Sequence, residues 1–310
     1  MSEKLKILFV SPEVSPFVKT GGLADVSAAL PRALKKKGHD VRVVLPEYKK
    51  ISYEYVKDFE HIADFRMKMV WRDKYVGVNK LDYKGVPTYF IDNKYYFFRN
   101  SIYENGDKEE QYAFFSRAVL EMIKKIDFKP DIIHCNDWQT GPLSLMLKDN
   151  YQIYDFYKDI RTVYSIHNLA YQGKFEPKIV HDVLGVSNYH ITSGNIMHDN
   201  LVNYMKMGIM YSDIVNTVSE TYAEEIKTEY FGEGLDYILN MRANDLYGIA
   251  NGIDYDEFDP KNDNRIYKTF DKNNIKNKYE NKLQLQKDLG LKQDKNIPVI
   301  SIVSRLVEQK

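Results

Sequence analysis

Apolar runs of strand length alternate along this chain with segments of helical periodicity, and that alternation leaves few folds open. Leu5 to Val10 (LKILFV) reads as a buried parallel strand. After the loop SPEVSPFV, the stretch Leu23 to Lys37 reads as a helix closed by Gly38, with Pro31 expected to kink or break it. Val41 to Leu45 is the next strand, which completes a βαβ opening. Further on, Tyr112, Phe115, Val119, Met122 and Ile126 are spaced 3, 4, 3 and 4 apart, one face of a helix. Strands are expected at DIIHCN (131–136), RTVYSIH (161–167), DIVNTVS (213–219) and YGIAN (247–251). Helices are expected at 140–148 and 221–231, and a polar, partly helical region at 174–210. FRMKMVW, YVGVNKLDY and VPTYFID, between 62 and 92, read as a small β excursion. The fold class is therefore α/β: a mostly parallel sheet with helices on both faces.

Length and composition narrow the function. The 310 residues exceed a comfortable single core, so one large domain and part of another are expected. The organisation expected is a first domain over 1–250, a solvated Lys/Asn-rich linker over 251–296, and a new apolar strand from 297 to 310. With 44 basic and 44 acidic side chains there is no electrostatic case for nucleic acid or an anionic membrane. The single cysteine, Cys135, allows no intramolecular disulfide and fits a reducing cytoplasm. The N-terminal apolar run is too short for a signal peptide, and no stretch nears the roughly 20 apolar residues that span a bilayer. A soluble, cytoplasmic protein is expected.

Four short stretches fall at strand C-terminal ends or just beyond: KTGGLAD (19–25), HCNDWQTG (134–141), SIHNLAYQG (165–173) and SRLVEQK (304–310). Ligands of open α/β sheets bind outside those ends. Gly21 and Gly22 open a helix and leave backbone N–H groups bare, with Lys19 adding a mobile positive charge, a combination suited to a sugar diphosphate. Gly-Gly between strand and helix also serves simply as a tight turn, and the spacing is not the dinucleotide fingerprint GxGxxG. His167 is open to reading as a proton carrier, a fixed hydrogen-bonding group or a structural histidine. Asp137 and Trp138 fit either a sugar-binding acid and ring or a helix cap beside a buried tryptophan. HExxH, CxxC, GxSxG and the Walker pattern are all absent, so a metal site, a Ser-His-Asp hydrolase and a P-loop kinase are unsupported.

These stretches, with HDVRVVLPEY, QYAFFSRAVLE, YSDIVNTVS and YGIANGIDYDEFDP, resemble bacterial glycogen synthase and plant starch synthase in order and spacing from Lys6 through Lys310. The resemblance implies a glycosyltransferase-B fold, two Rossmann-like domains facing each other across a cleft. The activity implied is retaining transfer of glucose from ADP-glucose to the non-reducing end of an α-1,4-glucan, without a metal or other cofactor. Carried over by motif, Lys19 would lie beside the donor's phosphates or sugar, with Asp25 in the same donor loop. Asp137 and Trp138 would lie on the sugar and acceptor side. His167, followed by Asn168, would contact the transferred glucosyl unit, and Arg305 and Lys310 would hold the donor diphosphate. Tyr96 and Arg99 resemble a segment near the acceptor. The family's second domain continues well past SRLVEQK, so this polypeptide alone is expected to be a fragment with little or no activity. A glucan-binding or regulatory protein that kept the fold and lost the chemistry is the alternative. A nicotinamide-dependent oxidoreductase lacks both the glycine fingerprint and a ribose-binding acid.

Overall fold

The computed structural model describes residues 4–103 and 106–304, which fall into two compact units divided between Asn251 and Gly252. The first unit opens with β1 (Lys6–Val10), α1 (Gly22–Lys36), β2 (Asp40–Pro46), α2 (Tyr53–Val56), β3 (Glu60–Met69), β4 (Arg72–Tyr83) and β5 (Val86–Asp92). It continues with α3 (Lys94–Phe97), α4 (Lys108–Lys125), β6 (Ile132–Asn136), α5 (Gly141–Met146), β7 (Arg161–Ile166), β8 (Lys174–Phe175) and α6 (Tyr189–Thr192). It closes with β9 (Met197–His198), β10 (Leu201–Asn203), α7 (Tyr204–Tyr211), β11 (Ile214–Thr217), α8 (Glu220–Glu225), α9 (Asp236–Met241) and β12 (Leu246–Gly248).

Nine strands form one sheet in the order β12-β11-β7-β6-β1-β2-β5-β4-β3. From β12 to β5 every neighbour is parallel, and β4 and β3 continue the sheet antiparallel. From β1 the chain builds outward through β2 and β5, then returns to the other side of β1 and builds through β6, β7, β11 and β12. The direction of winding therefore reverses between β1 and β6. The central strands are apolar on both faces because helices cover both: Leu8, Phe9 and Val10 of β1 are fully buried.

The elements differ from the sequence reading in four places. Pro31 does not break α1, which runs unbroken from Gly22 to Lys36. Its buried face, Leu23, Ala24, Ser27 and Pro31, packs toward β2 and β5, and that burial offsets the hydrogen bond proline removes. The β excursion is no separate feature: β5 pairs with β2, so β5, β4 and β3 are the edge of the main sheet. The region 174–210 is partly helical as expected, with α6 and most of α7, but it also holds a small antiparallel sheet, β8-β10-β9, whose two- and three-residue strands are too short to show alternation.

The fourth difference lies in the second unit, which holds one helix among its described residues, α10 (Asn277–Asp288). Gln286 is buried there, its side chain bonded to both the carbonyl and the N–H of Asp294. The strand expected from 297 does not form over the described residues 297–304. Ile300, Ile302 and Val303 are about nine-tenths exposed. Strand-like residues make a strand only against a hydrogen-bonding neighbour, and no described strand pairs with them.

Candidate functional site

Because β1, β6 and β7 are parallel neighbours, the loops that follow them emerge at one edge of the sheet, and the reversal between β1 and β6 opens a crevice there. The loop after β1 has a buried stem and an exposed end. Val14 and Val18 are bridged and buried, and the Phe17 ring meets Tyr55, Tyr83 and Phe90 edge-on at centroid distances of 5.0–5.1 Å. Lys19, by contrast, is exposed, its ammonium 2.7 Å from the Asp25 carboxylate. Gly21 is the N-cap of α1 and supplies no side-chain cap bond. A Cβ placed on Gly21 or Gly22 would meet nothing within 4 Å, and Gly21 is in extended backbone that any residue adopts. Neither packing nor backbone angle demands these glycines, so the space they leave open is available to a ligand.

The ends of β6 and β7 are built differently. Asp137 is buried, and its Oδ1 accepts the backbone N–H of His167 at 2.7 Å and of Asn168 at 3.4 Å. The carboxyl thus ties two adjacent strand ends together and does not cap the short helical turn that follows it. Its backbone sits at φ 56, ψ 176, a region close to glycine-only, and strain of this kind gathers at functional sites. Burial, helped by the nearby Glu13 and opposed by the two amides, pushes the Asp137 carboxyl up to about 7.

The His167 ring stands 3.0 Å from Asn136 Oδ1 through Nε2. Asn136 is fully buried and donates its amide nitrogen to the Val10 and His134 carbonyls. Its oxygen therefore faces the ring, which makes His167 Nε2 the donor and Nδ1 the acceptor. Burial pushes His167 down to about 4, so at neutral pH it is an uncharged imidazole. His134, beneath it, bonds the Ser165 hydroxyl at 2.6 Å, and burial with the neighbouring His167 pushes it down to about 3.

Lys19, Gly21, Asp137, His167 and Asn168 thus belong to loops that follow adjacent strands, with Gly22 and Asp25 in the first turn of α1 beside them. Two other residues lie in the core. Trp138 is 8% exposed, packed on Tyr112, Phe175 and Tyr204. Gly173 lies so close that a Cβ there would be 2.3 Å from the indole. The ring packs in the core, as in the buried-tryptophan alternative. Tyr96 has no exposed surface, and its hydroxyl donates to Glu110. Arg99 forms a forked ion pair with Asp107, one arm at 2.7 Å. Arg305 and Lys310 lie outside the described residues.

Sequence reading missed Glu13 and Asn136. Both were legible as polar residues at or just past a strand C-terminal end, one position before Asp137 in the case of Asn136, six before Lys19 in the case of Glu13. Glu13 is buried, and its carboxylate accepts from the Thr20 N–H and hydroxyl and from the Tyr103 hydroxyl.

Fold and site define an open α/β protein whose candidate site loops lie where a parallel sheet reverses its winding, with an exposed cation on one and a buried acid and a partly buried imidazole on the others. The model of the starch synthase catalytic domain matches residues 6–241, and the chain belongs to that family. It is 51% identical over 307 residues to a glycogen synthase of Clostridium botulinum (strain Alaska E43), which covers 99% of this chain and 64% of the relative. A glycogen synthase of Clostridioides difficile (strain 630) is 49% identical over 311 residues, covering 99% and 65%. Among solved structures, the catalytic domain of starch synthase IV from Arabidopsis thaliana, bound to ADP and acarbose, matches with a TM-score of 0.83 and 33% identity, over 93% of this chain and 60% of that one. The chain thus spans a little under two thirds of its curated relatives' length. Among the described residues no helix is long and apolar enough to cross a membrane.

Proposed function

We propose that this chain carries the N-terminal, Rossmann-like part of an ADP-glucose-dependent glycogen (starch) synthase, a retaining hexosyltransferase that extends α-1,4-glucans at their non-reducing ends. The organisation proposed with it is a catalytic first domain, a linker, and from 297 the start of a nucleotide-binding domain. One observation carries the reading: the Lys19, Asp137 and His167 loops follow neighbouring strands at the winding reversal, in a family whose solved member holds ADP and a sugar analogue.

The chemistry follows from the charges. The departing nucleoside diphosphate gains negative charge as the glycosidic bond breaks, so cations on it act more strongly in the transition state than before it. Lys19, which would exchange Asp25 for phosphate, and Arg305 and Lys310 are assigned that role. A neutral His167 cannot serve as a cation; its imidazole is assigned to a hydroxyl of the transferred glucose, oriented by Asn136. Asp137 holds the His167–Asn168 backbone against the sugar, and its carboxylate form favours the positive, oxocarbenium-like glucosyl group. Enclosure of the sugar would keep water from competing with the glucan.

The test is a glucosyl-transfer assay with ADP-glucose and glycogen, with binding of ADP-glucose and maltooligosaccharide measured separately. Binding of both is expected. The transfer assay reads whether these 310 residues turn over on their own. Maltooligosaccharide binding without ADP-glucose binding would favour a non-catalytic glucan-binding protein, and binding of neither would overturn the assignment.

A further inference from the structure

We infer that Glu13 is the positioning residue of the KTGG segment: its carboxylate holds Thr20, and so fixes where Lys19 and the bare N–H groups of Gly21 and Gly22 are presented. Glu13 is 4% exposed, although it lies in the loop three residues beyond Val10, the last residue of β1. Its backbone is anchored: Ser11 Oγ donates to the Glu13 carbonyl at 2.7 Å, and Val14 and Val18 form a bridge. From that fixed base the side chain reaches an exposed residue. Oε2 accepts the Thr20 N–H, and Oε1 accepts the Thr20 hydroxyl at 2.6 Å together with the Tyr103 hydroxyl. A carboxylate withdrawn from water is costly unless donors replace the water, and two of the three donors here come from the single residue between Lys19 and Gly21. The neighbouring tie, Lys19 to Asp25, is an exposed ion pair with about half of each side chain open to solvent, which is a weak restraint. The buried carboxylate is therefore the stronger restraint on the exposed end of this loop.

Glu13 also connects the two lips of the crevice. Its charge is among the influences that hold the Asp137 proton on, and Tyr103, which donates to Glu13, also lies within electrostatic reach of Asp137. A change at Glu13 thus acts on the exposed lip through hydrogen bonds and on the buried lip only through charge.

That the segment meets a nucleotide sugar rests on the function proposed above; that Glu13 holds the segment does not. The experiment is residue-resolved amide hydrogen exchange on the unliganded 310-residue chain, as wild type, Glu13→Gln and Thr20→Val. A glutamine presents an N–H₂ where one carboxylate oxygen accepted, so exchange at the Thr20 amide is expected to rise about tenfold or more in Glu13→Gln, with Phe9 and Cys135 unchanged. Thr20→Val keeps the backbone bond and loses the hydroxyl, so a smaller rise at the same Thr20-position amide is expected. ADP-glucose affinity, measured alongside, is expected to fall in Glu13→Gln while maltooligosaccharide affinity holds. Unchanged exchange at Thr20 in a folded Glu13→Gln protein would overturn the proposal. If Glu13→Gln does not fold, Thr20→Val decides it: a rise confined to the segment supports the proposal, and no rise or a sheet-wide one overturns it. A local rise in Glu13→Gln, together with a wild-type chain that binds no ADP-glucose, would leave Glu13 in its role and remove the proposed function instead.

Discussion

The two lips of the crevice use similar residue types under opposite conditions. After β1, Lys19 and Asp25 form an ion pair about half open to solvent, and Gly21 and Gly22 leave empty space around them. After β6 and β7, Asp137 is buried and its carboxyl is held protonated up to about pH 7, while His167 is uncharged at neutral pH. The physical difference is desolvation, which penalises the charged form of a group whatever its sign. One lip is therefore a mobile charge that can change partners, and the other is a fixed hydrogen-bonding frame.

Glycines give the largest test of that contrast. Gly173, at φ +63 against the Trp138 indole, belongs to the buried lip. Gly173→Ala is expected to cost about 3 kcal/mol or more, through overpacking and a disfavoured backbone angle. Gly21→Ala is expected to leave stability within about 0.5 kcal/mol, because nothing in the protein occupies that space. Urea unfolding of the two variants checks the contrast, and equal costs would break it.

Asp137 comes next. Asp137→Ala removes the acceptor of two backbone amides and keeps the strained angle, for an expected loss of about 2 to 3 kcal/mol. Asp137→Gly removes the same acceptor and relieves the angle, so it is expected to be the more stable of the two by about 1 kcal/mol. The same denaturant titrations decide the order; a glycine variant no better than alanine would show that the angle carries no strain.

The pH dependence separates the buried groups by sign. His167 and His134 have folded values lowered to about 4 and about 3, below the ordinary 6.5. The unfolded chain therefore takes up their protons first, and stability is lost as pH falls from 6.5 toward 4. Asp137 is raised from 3.8 to about 7, so its contribution is present below pH 3.8 and is lost as pH rises through 7. Two groups oppose one, and acidification from 6.5 to 4 is expected to destabilise the protein. His134→Gln should make that acid limb shallower by up to about 1.4 kcal/mol per pH unit, and Asp137→Asn should make it steeper. Stability measured at half-unit steps of pH settles both signs.

The smallest expected effect on folding belongs to Lys19. Lys19→Ala removes one exposed ion pair and should change stability by less than about 1 kcal/mol. Its effect on ADP-glucose binding should be the larger one, read by titration calorimetry. A variant that loses stability but keeps binding would place Lys19 in the frame and take it off the mobile lip.

Much of the sheet was legible because periodicity is a local property. LKILFV, DIIHCN and RTVYSIH, each buried on both faces, became β1, β6 and β7 to within a residue or two. The short strands β8, β9 and β10 were not legible, since two or three residues carry no period. Nor was the fate of Pro31, where a local rule met a buried helix face and the face prevailed. At the site, Lys19, Asp137 and His167 could be picked out as polar residues at strand ends. Trp138 and Tyr96 look the same in sequence and are buried in the core.

By itself, then, the sequence determined the longer strands of the main sheet and which residues follow their C-terminal ends, because apolar runs and helical spacing are written into neighbouring residues. Only the tertiary structure decided that β1 and β6 flank the reversal, that Glu13 reaches Thr20, and that Asp137 receives the amides of His167 and Asn168 thirty positions away. The reason is that burial and strand order depend on contacts between residues far apart in the chain, and burial sets which of these groups keep their charge.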